Sequence, residues 1–158
     1  MFNSFKSFAA ITITAASIFT SNTAQAAQLS SGQRALVNAL HTAGVELEVG
    51  KCESNEAFGF YNPKVNFIGI CANVATTPQQ RWETLRHEAV HAAQKCINPS
   101  MTSMVKSVAY IEYHANQSDA DFIMKAYGRE DWAIELEAFT LMRRSNAYVA
   151  QVVNKACN

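Results

Sequence analysis

Apolar positions in this chain change their period several times, and each change marks an element. Ser30-Ser31-Gly32-Gln33 offers an N-cap with a Gln three places on, so a first helix is expected to run to about Thr42 and close at Gly44. Val45, Leu47 and Val49 then alternate with Glu46 and Glu48, the period of a short strand. Ala57 to Tyr61 and Val65 to Cys71 flank Asn62-Pro63-Lys64, a turn signal, which predicts a hairpin. Helical spacing returns in Trp82, Leu85, Ala89, Val90, Ala92 and Ala93. Thr77-Pro78-Gln79-Gln80 opens that run with an N-cap, a Pro at the first helical position and a Gln at the third. This helix, about 18 residues long, ends near Cys96, and Asn98-Pro99-Ser100 breaks the pattern. A third helix is expected from about Ser103 to Tyr127, ended by Gly128, and a fourth from near Glu130 to about Val149 or beyond. The expected class is α+β, a small β-sheet or hairpin followed by a mostly helical part.

Composition changes this picture in two places. The first 26 residues read as a secretory leader: Lys6 follows a short polar start, Phe8 to Phe19 is apolar, and Ala24-Gln25-Ala26 is a small-x-small cleavage site. The apolar run is too short for a membrane span, so no stable membrane insertion is expected after cleavage. The mature domain is then 27–158, exported to the periplasm or the medium. With 49 % hydrophobic residues it can build a core. A formal charge of zero implies no nucleic-acid or other polyanionic partner.

The four cysteines, Cys52, Cys71, Cys96 and Cys157, all lie in the mature part. An even number in an exported domain suggests two disulfides, with three possible connectivities. Pairing Cys52 with Cys71 would staple the predicted hairpin. Joining Cys96 to Cys157 would tie the end of the long helix to the C-terminus. Each contributes about 3–4 kcal/mol on the loop-entropy account. A four-cysteine zinc site is disfavoured because no Cys-x-x-Cys pair exists.

Within the long helix stands His87-Glu88-Ala89-Val90-His91, the H-E-x-x-H pattern. Residues i and i+4 lie one above the other on a helix, so two imidazoles at this spacing can grip one Zn²⁺. Glu88 sits beside the metal without occupying it, which suits a general base acting on a zinc-bound water. Small neighbours, Ala89, Ala92 and Ala93, suit a close-packed metal site.

His87-Glu88-Ala89-Val90-His91, with the strand Val65 to Cys71 upstream, resembles the zincin metallopeptidases over about the middle third of the chain. The resemblance implies a sheet that precedes the zinc helix, with an edge strand beside the cleft that pairs with an extended peptide or protein substrate. The chain looks like a minimal, single-domain member of the gluzincin branch, whose third ligand is a Glu on a later helix. It lacks the H-E-x-x-H-x-x-G-x-x-H extension of metzincins and is much shorter than a thermolysin-type domain.

A catalytic zinc takes three protein ligands and one water. Glu135 is the preferred third ligand. It lies on an apolar face with Ala138, Phe139, Met142 and Val149, where an unpaired carboxylate is costly. Ala138 would let two helices approach closely, and Glu-x-x-Ala resembles the third-ligand helix of several small gluzincins. Glu112 is a rival, 21 positions after His91 and likewise followed by Ala115 three residues on. Near it, Asn116 or Asp119 could orient a zinc histidine. His114 is a further ligand candidate. Glu137 points the other way, beside Thr140, Leu141 and Arg144, and reads as a solvated acid. For an oxyanion donor, Tyr110, Tyr113, His114, Tyr127 and Tyr148 are available, with His114 the nominal choice. His41, near the end of the first helix, has no catalytic role assigned.

Three functions follow. The first is an exported zinc metallopeptidase with Glu88 as general base. The second is a catalytically inactive protein of zincin fold that binds metal or a partner; Glu88 between the two histidines argues against it. In the third, a disulfide-stabilised interaction protein carries the motif by accident.

Overall fold

A computed structural model describes residues 29–53, 55–102 and 104–158. The expected leader, 1–26, lies outside them. Six helices and a three-stranded sheet follow one another in an α+β arrangement among the described residues. Helix α1 spans Ser31–Thr42, with Ser30 and Gln33 exchanging the two hydrogen bonds of a capping box. Gly44 closes it at φ 71°, a backbone conformation that costs glycine little.

Strands β1 (Glu46–Gly50), β2 (Gly59–Asn62) and β3 (Phe67–Cys71) form a sheet in the order β1-β3-β2. β1 pairs with β3 in parallel, Leu47 opposite Ile68, and β2 pairs with β3 antiparallel, Tyr61 opposite Ile68. The hairpin is therefore as predicted, but its turn is longer. Asn66 adopts φ 53° and is held by two side-chain bonds, accepting from the Tyr61 hydroxyl at 2.7 Å and donating to the Ala43 carbonyl at 3.0 Å. Val65 and Asn66 thus belong to the turn. The strand ending at Cys71 is central, and the edge facing the long helix is β2.

Helix α2 spans Pro78–Ile97 behind the Thr77–Gln80 capping box. It is the hub of the fold, packing on β2 and β3 and on two later helices, α5 (Trp132–Met142) and α6 (Asn146–Cys157). Leu85, Ala89, Val90 and Ala93 are buried here with Ile68 and Ile70 of the sheet, Leu36 and Leu40 of α1, Ala138 and Leu141 of α5, and Val149 and Val153 of α6. Contact between α2 and β2 is close at Gly59, where a Cβ would stand 2.6 Å from the Thr84 methyl group and 2.7 Å from the Gly69 carbonyl. Any side chain at Gly59 would push the edge strand off the helix.

Both long helices expected after α2 are broken. The first divides into α3 (Val108–His114) and α4 (Gln117–Ala126), because Ala115 is extended and Asn116 caps α4 through the Ser118 N–H. The second divides into α5 and α6, where Ser145 caps the new helix through the Tyr148 N–H. Arg86 of α2 donates to the Met142 carbonyl and the Asn146 side chain, fixing this corner to the hub. Arg143 at the same corner makes a two-point ion pair with Asp119 of α4, at 2.6 and 2.9 Å.

The disulfides pair Cys52 with Cys71 and Cys96 with Cys157, as expected, with Cα separations of 5.1 and 5.0 Å. The first staples the exit of β1 to the end of β3 rather than the β2–β3 hairpin itself. The second joins the last turns of α2 and α6. Two such bonds fit an oxidising, extracellular setting. No helix among the described residues is long and apolar enough to cross a membrane.

Candidate metal centre

Two helices build the centre. α2 presents His87 and His91 one turn apart on the face that α5 covers, and α5 brings Glu135 in its own first turn. The His87 and His91 Nε2 atoms stand 3.1 Å apart. Glu135 Oε2 lies 3.4 Å from His87 Nε2, and Glu135 Oε1 lies 3.5 Å from His91 Nε2. A tetrahedral ion with bonds of about 2.0–2.1 Å needs donors about 3.3–3.4 Å apart, and each histidine has the other's Nε2 and one Glu135 oxygen near that spacing. Glu135 Oε2 is also buried and makes no hydrogen bond of acceptable geometry. An unsatisfied carboxylate oxygen is costly to bury, and a cation between the three side chains removes that cost. The residues present fit a metal ion.

The same crowding sets the electrostatics of these groups. Burial pushes His91 down to about 4, aided by the charge on His87 and opposed by Glu135 and Gln94. Burial also acts to lower His87, but its contact with Glu135 and the charges of Glu88 and Glu135 outweigh that and hold it above its ordinary value. For Glu135 burial acts upward, yet the imidazoles and the Tyr127 hydroxyl keep the carboxyl below its ordinary range.

Glu88 lies beside the triad and is not one of its three members. It is 6 % exposed. Burial, with the charge of Glu135, pushes it up to about 7, against the charge of His87 and the nearby Tyr61 N–H of β2. The edge strand thus runs close to the Glu88 carboxylate, with the Tyr61 N–H on its Glu88 side. Tyr127, the residue after α4, places its hydroxyl near Glu135; burial, with the charges of Glu135 and Glu88, pushes that hydroxyl up to about 12. Trp132 Nε1 donates to the Tyr127 carbonyl at 3.1 Å and pins the loop that carries it. His87 packs edge-on against Phe139, with ring centroids 4.8 Å apart, and Phe122 leans on both Phe139 and Tyr127.

Glu135 thus joins the two histidines, as the apolar face of α5 predicts. Glu112 is exposed on α3 and outside the group. His114 packs its ring against Tyr110 and Tyr113, and of the aromatic candidates it is Tyr127 that lies beside Glu135. Asn116 caps α4 and Asp119 pairs with Arg143, so neither orients a histidine.

Glu137 departs most from expectation. It is fully buried, and its carboxylate accepts from Gln94 Nε2 at 3.0 Å, the Val105 N–H at 2.9 Å and the Lys106 N–H at 2.6 Å. Gln94 in turn bonds His91 Nδ1 at 2.8 Å. The polar face expected around Glu137 does not exist on α5: α2 covers one side and the 105–106 segment another. The available signal was the composition of α5, in which Trp132, Ile134, Leu136, Phe139 and Leu141 fall on all sides. An all-round apolar helix buries whatever carboxylates it carries.

No curated protein and no solved structure matches the chain. A family described as "Domain of unknown function (DUF8637)" matches residues 26–158, and the chain belongs to that family.

Proposed function

We propose that the protein is an exported zinc-dependent peptidase, a minimal relative of the gluzincins in which His87, His91 and Glu135 hold the metal. One observation carries this reading: a largely buried two-histidine, one-carboxylate group has a further carboxylate, Glu88, set between the histidines in the chain and left outside that group. That is the donor set of a catalytic zinc, with a fourth position left for water. When bound, zinc supplies Lewis acidity toward a carbonyl and lowers the pKa of the water it holds.

The chain's own groups do the rest. Glu88 accepts the proton of the attacking water at its carboxylate and returns it to the leaving amine. The Tyr61 N–H of β2 lies near that carboxylate and favours its charged form. Tyr127 brings an O–H close to Glu135, which makes it the candidate donor for a developing oxyanion. β2 is the sheet edge that runs past Glu88, which suits an extended peptide. Phe139 and Phe122 put an apolar surface beside His87.

The reading is tested on labelled casein. Hydrolysis should stop when 1,10-phenanthroline strips the metal and return when zinc is restored. Zinc retained without hydrolysis of casein or of a mixed peptide library would favour the metal-binding module.

A further inference from the structure

Gln94 stands one turn beyond His91 on α2 and is fully buried, although nothing in zinc chemistry requires an amide at that place. Its environment fixes which way the amide faces. Nε2 lies 3.0 Å from the Ile134 carbonyl and 3.0 Å from Glu137 Oε2, and both partners can only accept. Both amide hydrogens are therefore used, and the amide oxygen is the end that meets His91 Nδ1 at 2.8 Å. An oxygen there can only accept, so Nδ1 carries the imidazole proton and Nε2 carries the lone pair. That lone pair points toward His87 Nε2 and Glu135.

We propose that Gln94 is a positioning residue for metal binding: anchored by Glu137, it locks His91 in the Nδ1–H tautomer, so that Nε2 is always ready to bind the ion. The inference rests on the metal reading above and adds a cause for its strength. Without the lock, a neutral imidazole spends part of its time with the proton on Nε2, and each such molecule must rearrange before it can bind. Glu137 connects the lock to the loop before α3, because the same carboxylate holds the Val105 and Lys106 N–H groups. One carboxylate thus anchors both the Gln94 amide and that loop.

Two readouts on the intact chain test this. Long-range ¹H–¹⁵N spectra of the metal-free protein report the tautomer of His91, and competition with a chromophoric chelator reports zinc affinity. Wild type should show the Nδ1–H form. Gln94→Met, which conserves volume and removes the acceptor, should move His91 toward the Nε2–H form and weaken zinc binding by about 10–100-fold. Glu137→Gln keeps an acceptor for Gln94, so His91 should hold its tautomer while the Lys106 amide exchanges faster. A merely structural Gln94 would lower stability without moving the tautomer. Gln94→Met with wild-type affinity and an unmoved tautomer overturns the proposal. Should that variant fail to fold, an Nε2–H His91 in the wild type overturns it as well. A wild type with the Nδ1–H form that binds no zinc contradicts the metal reading and removes the purpose of the lock with it.

Discussion

Glu88→Gln is expected to keep the metal and to lower hydrolysis of labelled casein by about 10²–10⁴-fold, the usual contribution of a positioned general base. Gln fills the same volume and keeps a polar oxygen facing the nearby Tyr61 N–H, so the site should not collapse. An amide cannot take up the water's proton at neutral pH, so the chemical step alone is lost. Because His87, His91 and Glu135 are untouched, zinc content should match wild type. The loss should therefore appear in kcat rather than KM. Full activity in Glu88→Gln would leave the site without its base and turn the reading toward a metal-binding module.

The second large effect is on stability. Glu137→Ala should destabilise the fold by about 3 kcal/mol or more, measured by urea unfolding of the metal-free protein. The carboxylate accepts three hydrogen bonds in a fully buried position. Its removal leaves the Val105 and Lys106 N–H groups and one Gln94 amide hydrogen without a partner, at about 1–3 kcal/mol for each donor that stays dry. The segment that those N–H groups anchor closes over α5, so its release also exposes apolar surface. A change under about 0.5 kcal/mol would restore the solvated reading of Glu137 that its sequence neighbours suggested.

What the sequence made legible was local. Thr77 and Gln80 announce the start of α2, Gly44 the end of α1, and the spacing of His87 and His91 puts both imidazoles on one face whatever packs there. Those signals act within a turn or two of the chain, and propensity and capping decide them. Glu135 was accessible for a related reason: a carboxylate on an apolar stripe demands a partner. Asn116 and Ser145 misled, since each can ride on a helix surface, and only tertiary anchors such as Arg86 and the Arg143–Asp119 pair make them caps. Glu137 and Gln94 were illegible because their roles come from a loop more than 30 positions away in the chain and a helix more than 40 away. Tyr127 sat among five aromatic candidates, and only the fold of the 127–132 loop selects it.

The central claim is that His87, His91 and Glu135 hold one zinc, and zinc stoichiometry after exhaustive dialysis tests it most directly. Wild type and Glu112→Ala should each retain about one zinc per chain, while His87→Ala and Glu135→Ala should retain almost none. Equal zinc in wild type, His87→Ala and Glu135→Ala would contradict the account, and loss of zinc in Glu112→Ala with retention in Glu135→Ala would move the third ligand to α3.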